Sequence, residues 1–180
     1  MQEHQEQWEV DDIDSDQISE VQYYQTLPQF LLLSFFSFGL YLLWWIYSSW
    51  KYFKTRDALD ITPVARAIFS VFFQYALYDR ILMHAKEKGY QESYSPGVLF
   101  FVFFGSNLLS RLPDPYWLLS FLSILSYIAP VKALSFAQQQ STREQWLPQQ
   151  NFTTAQVVML LLGIIFWVVI LSTMFLAESY

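Results

Sequence analysis

Residues 157–176 read VVMLLLGIIFWVVILSTMFL, a run of twenty residues with no charged side chain. A helix that crosses the hydrocarbon core of a bilayer needs about 20 mostly apolar residues. The stretch therefore predicts a membrane-spanning helix over about residues 154–176. Thr153 and Gln156, just before it, have the spacing of a capping box, in which each side chain binds the other residue's backbone N–H.

Three more stretches are apolar enough to cross a membrane, and they predict spans over about residues 28–50, 96–112 and 115–131. A helix in a soluble core is apolar on one face, whereas these are apolar on all faces. We therefore predict an all-α integral membrane protein with about four transmembrane helices, in a helical membrane domain over residues 27–180. Pro130 is expected to kink or end the third span, and residues 132–150 are predicted to form a short surface helix that stops near Pro148.

A fifth apolar stretch, residues 67–78, lies between Arg66 and the Asp79–Arg80 pair. As a helix it covers about 18 Å, which is too short for a hydrocarbon core of about 30 Å. We predict an amphipathic helix over about residues 63–88 that lies in the membrane interface, with Phe69, Phe72, Phe73 and Tyr75 among the headgroups.

The positive charges decide the orientation. With the fifth stretch at the interface, nine of the ten Lys and Arg residues fall on one side, and only Arg111 falls on the other. If it crossed the membrane instead, the split would be five and five. Basic loops stay in the cytoplasm, so the sequence predicts cytoplasmic basic loops and both termini outside. Gly39 leaves an alternative open, a re-entrant hairpin that would put the N-terminal tail inside.

The N-terminal tail has a composition unlike that of the rest of the chain. Eight of the 16 acidic residues lie in the first twenty positions, whereas the whole chain is 54% hydrophobic, 14% charged and without cysteine. Residues 1–26 are therefore predicted to be an acidic, disordered tail, and the chain is neither disulfide-rich nor a zinc–cysteine protein. The tail is either a solvated linker or a segment that docks on a partner through Trp8, Ile13 and Ile18.

Aromatic and basic side chains cluster at the end of the first predicted span. One interpretation is an interfacial aromatic belt with basic anchors. The other is a site for a lipid headgroup, with Lys or Arg on a phosphate. The candidate residues for lipid or partner binding are Trp44, Trp45, Tyr47, Trp50, Lys51, Lys54, Arg56 and Arg66.

Residues for catalysis are few. The two histidines, His4 and His84, are eighty positions apart and are interpreted as solvated surface residues, so no metal site, catalytic residue or cofactor is predicted. No predicted span has a charge near its centre, which argues against a proton relay. Two alternatives stay open. One is an oligomeric channel lined by Ser106, Asn107 and Thr173, and the other is a lipid-modifying enzyme that uses Arg66, Asp79 and His84.

The segment GLYLLWWIY at residues 39–47, followed by Trp50 and Lys51, resembles the first-span signature of small bacterial multi-pass membrane proteins with a domain of unknown function. Two later segments, TPVARAIF at 62–69 and RLPDPYW at 111–117, are similar to the same group. The resemblance covers about residues 27–176. It implies a bacterial inner-membrane protein and supplies no activity.

These observations together favour a non-enzymatic multi-pass membrane protein, an accessory or scaffold subunit or an organiser of the lipid interface. Its expected partners are membrane lipids and a protein, either a different chain or further copies of itself. Nucleic acid is not an expected partner.

Overall fold

The computed structural model describes residues 22–113, 116–141 and 146–178. This part of the chain is almost wholly helical, as the sequence predicts. Its α-helices are α1 (Leu27–Phe36), α2 (Leu40–Asp57), α3 (Pro63–Ile68), α4 (Ser70–Glu87), α5 (Pro96–Leu108), α6 (Ile128–Gln139) and α7 (Thr154–Glu178). Two 3₁₀ helices, η1 (Leu109–Arg111) and η2 (Tyr116–Tyr127), and two short strands, β1 (Gln22–Tyr24) and β2 (Trp146–Pro148), complete it.

Two helical segments in the described part are long and apolar enough to cross a membrane. They are Tyr116–Gln139, formed by η2 and α6 together, and Thr154–Leu176 within α7. The second agrees with the span predicted over residues 154–176. The predicted capping box is also present, since Thr153 N–H donates to Gln156 Oε1 at 2.9 Å and Gln156 N–H donates to Thr153 Oγ1 at 3.4 Å.

The predicted first span, residues 28–50, is two helices rather than one. Phe38 and Gly39 have positive φ angles of 53° and 82°, which no α-helix accommodates, so α1 ends before them and α2 begins after them. The ring centroids of Phe30 and Trp45 are 5.5 Å apart. In one continuous helix these residues would be about 22 Å apart along the axis. The chain therefore turns back on itself at Gly39, as in the hairpin considered as an alternative from the sequence.

A strand pair joins the start of the described chain to the segment before α7. Strand β1 pairs in parallel with β2, and Gln22 is in register with Trp146. The chain at Gln22 therefore lies beside the segment that leads into α7, on the side of the molecule where Lys51 and Arg56 also lie.

The second and third predicted spans also differ from the structure. The predicted span over residues 96–112 is not one α-helix. Its α-helical part, α5, has 13 residues, and the chain continues to Arg111 as the 3₁₀ helix η1. The third helix passes through Pro130 and continues to Gln139, so Pro130 neither ends it nor separates it from a surface helix. Proline is tolerated because it lies in the first turn of α6, where its missing N–H would have no α-helical partner. Residues 146–148 form a strand where a helix was expected.

The predicted interfacial helix over residues 63–88 is present as two helices, α3 and α4, which meet at Phe69. One face is exposed and apolar, with Ile68 67% and Phe72 80% exposed. The opposite face of α4 is buried, because Leu77 and Ile81 are fully covered. The pair is therefore amphipathic, as predicted, but packed into the fold.

Aromatic side chains form the centre of the core. Trp45 and Trp50 are only 5% and 1% exposed, so the belt interpretation is wrong for these two residues. Tyr127 makes edge-on ring contacts with Trp45 at 5.7 Å and with Tyr78 at 5.6 Å. Edge-to-face pairs of this kind stabilise by about 0.5–1.5 kcal/mol each beyond the area they bury. The core thus joins α2, α4 and η2.

Candidate functional site

A wide cavity of about 1080 Å³ lies between β1, α2, the C-terminal turn of α4, α6 and β2; we call it the polar cleft. Its α2 wall carries Trp45, Ser49, Tyr52 and Arg56. These residues follow at intervals of three or four positions, which places them on one face of a helix. The strand pair closes the opposite side through Gln22 and Trp146.

A hydrogen bond joins α2 to α4 inside the polar cleft. The Tyr52 hydroxyl lies 3.0 Å from His84 Nε2, and His84 Nδ1 lies 3.7 Å from Glu87 Oε2. The side chain of His84 is only 3% exposed. Burial, and second the positive charge of Arg56, lowers the pKa of His84 from 6.5 to about 4. At neutral pH His84 is therefore uncharged.

The carboxylates of the polar cleft are already neutralised. Arg56 pairs with Asp57 at 3.2 Å and with Glu87 at 3.1 Å, and Arg80 pairs with Asp57 at 3.1 Å. Two guanidinium groups thus balance two carboxylates. Lys51 and Lys88 also line the cleft, and neither forms an ion pair with any residue that the structure describes. The cleft therefore has positive charge to offer to a ligand.

Several polar atoms on the cleft wall have no hydrogen-bond partner within the described chain. The Oγ of Ser49, a residue that is 2% exposed, has none, and neither does the indole Nε1 of Trp146. Buried polar groups in folded proteins are nearly always satisfied by protein, water or a ligand. Both atoms are covered by neighbouring groups, although their residues line the cleft.

A second, more apolar cavity of about 740 Å³ adjoins the polar cleft. The two share Trp44 and Tyr41 in their walls, and the second extends to Leu147, Ala155 and Met159. The Tyr41 hydroxyl accepts a hydrogen bond from Gln156 Nε2 at 3.1 Å, and Gln156 also lines the second cavity. The second cavity thus leads from the polar cleft to the first turns of α7.

The structure divides the predicted lipid- or partner-binding residues into separate groups. Trp44, Trp45, Lys51 and Arg56 line the polar cleft. Tyr47 and Lys54 line a smaller cavity of about 600 Å³ that also contacts Lys51.

Trp50 and Arg66 lie elsewhere, with the Arg66 guanidinium carbon 4.2 Å from the Trp50 ring centroid and 5.1 Å from that of Phe73. Arg66 thus stacks on two rings and does not line the polar cleft. The tail candidates Trp8, Ile13 and Ile18 lie outside the described residues.

The alternatives of a channel and of an enzyme gain little from the geometry. Asn107 Nδ2 donates to the Phe103 carbonyl at 2.8 Å, and Thr173 Oγ1 donates to the Ile170 carbonyl at 2.8 Å, so both side chains bind their own helices. Arg66 and Asp79 do not line the cavity that contains His84.

Sequence reasoning did not place His84 or Lys88 beside α2, and it missed the strand pair. The interpretation of His84 as a solvated residue is wrong, since it is buried. A signal was present, because Leu77, Ile81 and His84 follow at helical intervals of four and three residues and form one buried face. The strands offered no such signal, because each has three residues and they lie more than 120 positions apart.

Comparisons of this chain with protein-family models, with curated proteins and with solved structures found no match.

Proposed function

We propose that this is a non-enzymatic multi-pass protein of a bacterial inner membrane that acts by association, as an accessory subunit or organiser of the lipid interface. The observation that supports it best is the surface of α7. Helix α7 packs mainly on α1 and exposes apolar side chains around most of its circumference: Val157, Val158, Leu161, Leu162, Ile164, Ile165, Phe166, Val168, Val169, Leu171, Phe175 and Leu176.

An apolar surface of this size is unfavourable in water. Exposed apolar area costs roughly 25 cal/mol per Å², and soluble monomers rarely expose a continuous apolar patch above a few hundred Å². Lipid chains or the apolar surface of a partner protein remove this cost. The family resemblance at residues 39–47 is consistent with the same proposal.

The proposed topology has three crossings and one hairpin. Helices α5 and η1 together cover about 25 Å, enough for a short crossing. Helices η2 and α6 form the second crossing, and α7 forms the third. The α1–α2 hairpin enters and leaves on the cytoplasmic side, where Lys51, Lys54 and Arg56 lie, because basic residues stay in the cytoplasm. This replaces the four crossings expected from hydropathy.

Single cysteines test the topology directly, because the natural chain has none. We suggest four full-length variants: Gln22→Cys, Lys54→Cys, Leu112→Cys and Gln150→Cys. A membrane-impermeant maleimide added to intact cells should label only Leu112→Cys, and permeabilised cells should allow labelling of all four. Labelling of Gln22→Cys in intact cells would contradict the hairpin.

Two further measurements test the association itself. An alkaline carbonate wash of the membrane fraction should leave the protein in the pellet, and its release would contradict membrane insertion. Extraction into polymer nanodiscs, followed by mass spectrometry of proteins and lipids, should recover a stoichiometric protein partner, a homo-oligomer or enriched anionic lipid. A lone monomer with bulk lipid composition would contradict a role through association.

A further inference from the structure

The geometry points to one ligand for the polar cleft and the second cavity together, an anionic phospholipid, with its phosphate between Lys51 and Lys88 and an acyl chain toward α7. The inference rests on the proposed membrane location and specifies what the cleft binds there. Sites for small molecules in proteins usually have volumes of about 300–1000 Å³. The two cavities, at about 1080 and 740 Å³, exceed the needs of a small ion.

Charge selects the headgroup. Asp57 and Glu87 are paired with arginines, so they do not repel an anion strongly. Lys51 and Lys88 are the cleft lysines without an ion pair in the described chain. A basic residue near a membrane surface attracts anionic lipid, and a phosphate held between two ammonium groups gains from both.

Two donors without a partner in the described chain belong to residues of the cleft wall, the Ser49 hydroxyl and the Trp146 indole N–H. Both atoms are covered in the structure, so a ligand reaches them only if a neighbouring side chain moves. The headgroup site therefore depends on the two lysines rather than on these donors.

The second cavity supplies the apolar half of the site. Its wall continues from the shared residues Tyr41 and Trp44, whose rings stack with centroids 5.2 Å apart, to Leu147, Ala155 and Met159. Aromatic side chains with one polar edge occupy the boundary between headgroups and acyl chains. An acyl chain that follows this wall reaches α7, which faces lipid in the proposed topology.

The test measures lipid binding to the full-length protein by native mass spectrometry from a neutral detergent. The probes are phosphatidylglycerol, phosphatidylcholine of the same chain length, and glycerol phosphate without chains. We expect a 1:1 complex with phosphatidylglycerol and at least tenfold weaker binding of the other two. The cleft variant Lys51→Gln/Lys88→Gln should weaken the phosphatidylglycerol complex at least tenfold.

The matched control is Lys86→Gln/Lys132→Gln, which removes the same charge from exposed lysines outside the cleft. It should change binding less than twofold. Equal losses in the two variants would overturn the proposal, because they would show general attraction to an anionic surface. Equal binding of glycerol phosphate would also overturn it, since the site would then bind a free phosphate compound.

A second variant tests the acyl-chain half of the site without any change of charge. Met159→Trp fills the second cavity and leaves both lysines in place, so it should weaken the phosphatidylglycerol complex and leave glycerol phosphate binding unchanged. Unchanged phosphatidylglycerol binding would overturn the acyl-chain half of the proposal. Retention of these variants in carbonate-washed membranes is measured in parallel, so a failure of lipid binding is distinguished from a failure of membrane insertion.

Discussion

Gly163 of α7 lies against the backbone carbonyl of Phe36, the last residue of α1, so closely that a Cβ atom at position 163 would overlap the carbonyl oxygen. Backbone atoms cannot rotate away as a side chain can. Glycine is therefore required at this position by the close approach of the two helices. This is the contact that seats α7 on the α1–α2 hairpin.

Replacing Gly163 with alanine should separate the two helices. We expect Gly163→Ala to lower the free energy of unfolding by about 1–3 kcal/mol, the usual cost of overpacking a tight contact. Gly105→Ala in α5 is the matched control, because a Cβ there meets nothing within 4 Å. Thermal unfolding in detergent measures both. A control as destabilised as Gly163→Ala would argue against the contact.

Burial of His84 should make stability depend on pH. Its pKa is lowered to about 4 in the folded protein, against 6.5 for an unperturbed histidine. Between these values the unfolded chain binds the proton and the folded chain does not, so stability is full above pH 6.5 and decreases as the pH falls toward 4. The loss should be about 1–3 kcal/mol.

Denaturant titrations at several pH values measure this dependence. His84→Gln should flatten the slope between pH 6.5 and 4, whatever its effect on stability at pH 7. His4→Gln, which changes the other histidine, should keep the slope. A slope that survives in His84→Gln would assign the effect to other groups.

The stacking of Arg66 on Trp50 should contribute to stability through the shape of the guanidinium group as well as its charge. Arg66→Lys keeps the charge and loses the planar stacking, so we expect a loss of about 0.5–2 kcal/mol. Arg111→Lys at an exposed position is the control and should change stability little. Equal effects of the two substitutions would contradict a specific contact.

A charge on the lipid-facing side of α7 distinguishes a membrane from water. Ile165 is 61% exposed and lies near the middle of α7. Ile165→Arg should reduce insertion, because arginine at the centre of a spanning helix costs about 2.5–3.5 kcal/mol. Met83→Arg, at a position 56% exposed in α4 and outside the spans, should not. The retained fraction after a carbonate wash gives the comparison.

The features that the sequence predicted well depend on neighbouring residues. Helix α7 follows from a local apolar run, and its capping box from Thr153 and Gln156 alone. Ser95 and Thr62 each stand directly before a proline at the start of a helix. The Ser95 hydroxyl caps α5 by accepting from Val98 N–H at 3.4 Å, whereas Thr62 makes no such side-chain bond to α3. A local pattern thus predicts where a helix begins better than which atoms cap it.

The features that it missed depend on distant residues. The positive φ of Phe38 is accompanied by ring stacking on Trp167 at 4.8 Å, more than 120 positions away. Trp44, Trp45, Lys51 and Arg56 of the cleft could be predicted because aromatic and basic residues cluster in this part of the sequence. Lys88, at the C-terminal end of α4, and Trp146 of β2 could not be predicted as cleft residues. Only the packed fold brings them to the same cavity.

The pairing of Gln22 with Trp146 has a consequence for biosynthesis. In the proposed topology, residues 1–21 never have to be exported through the translocation machinery. Their eight carboxylates therefore never meet the interior of the bilayer, and no electrical work against the membrane potential is needed to move them. In that topology these residues remain on the side of the membrane on which the chain is made.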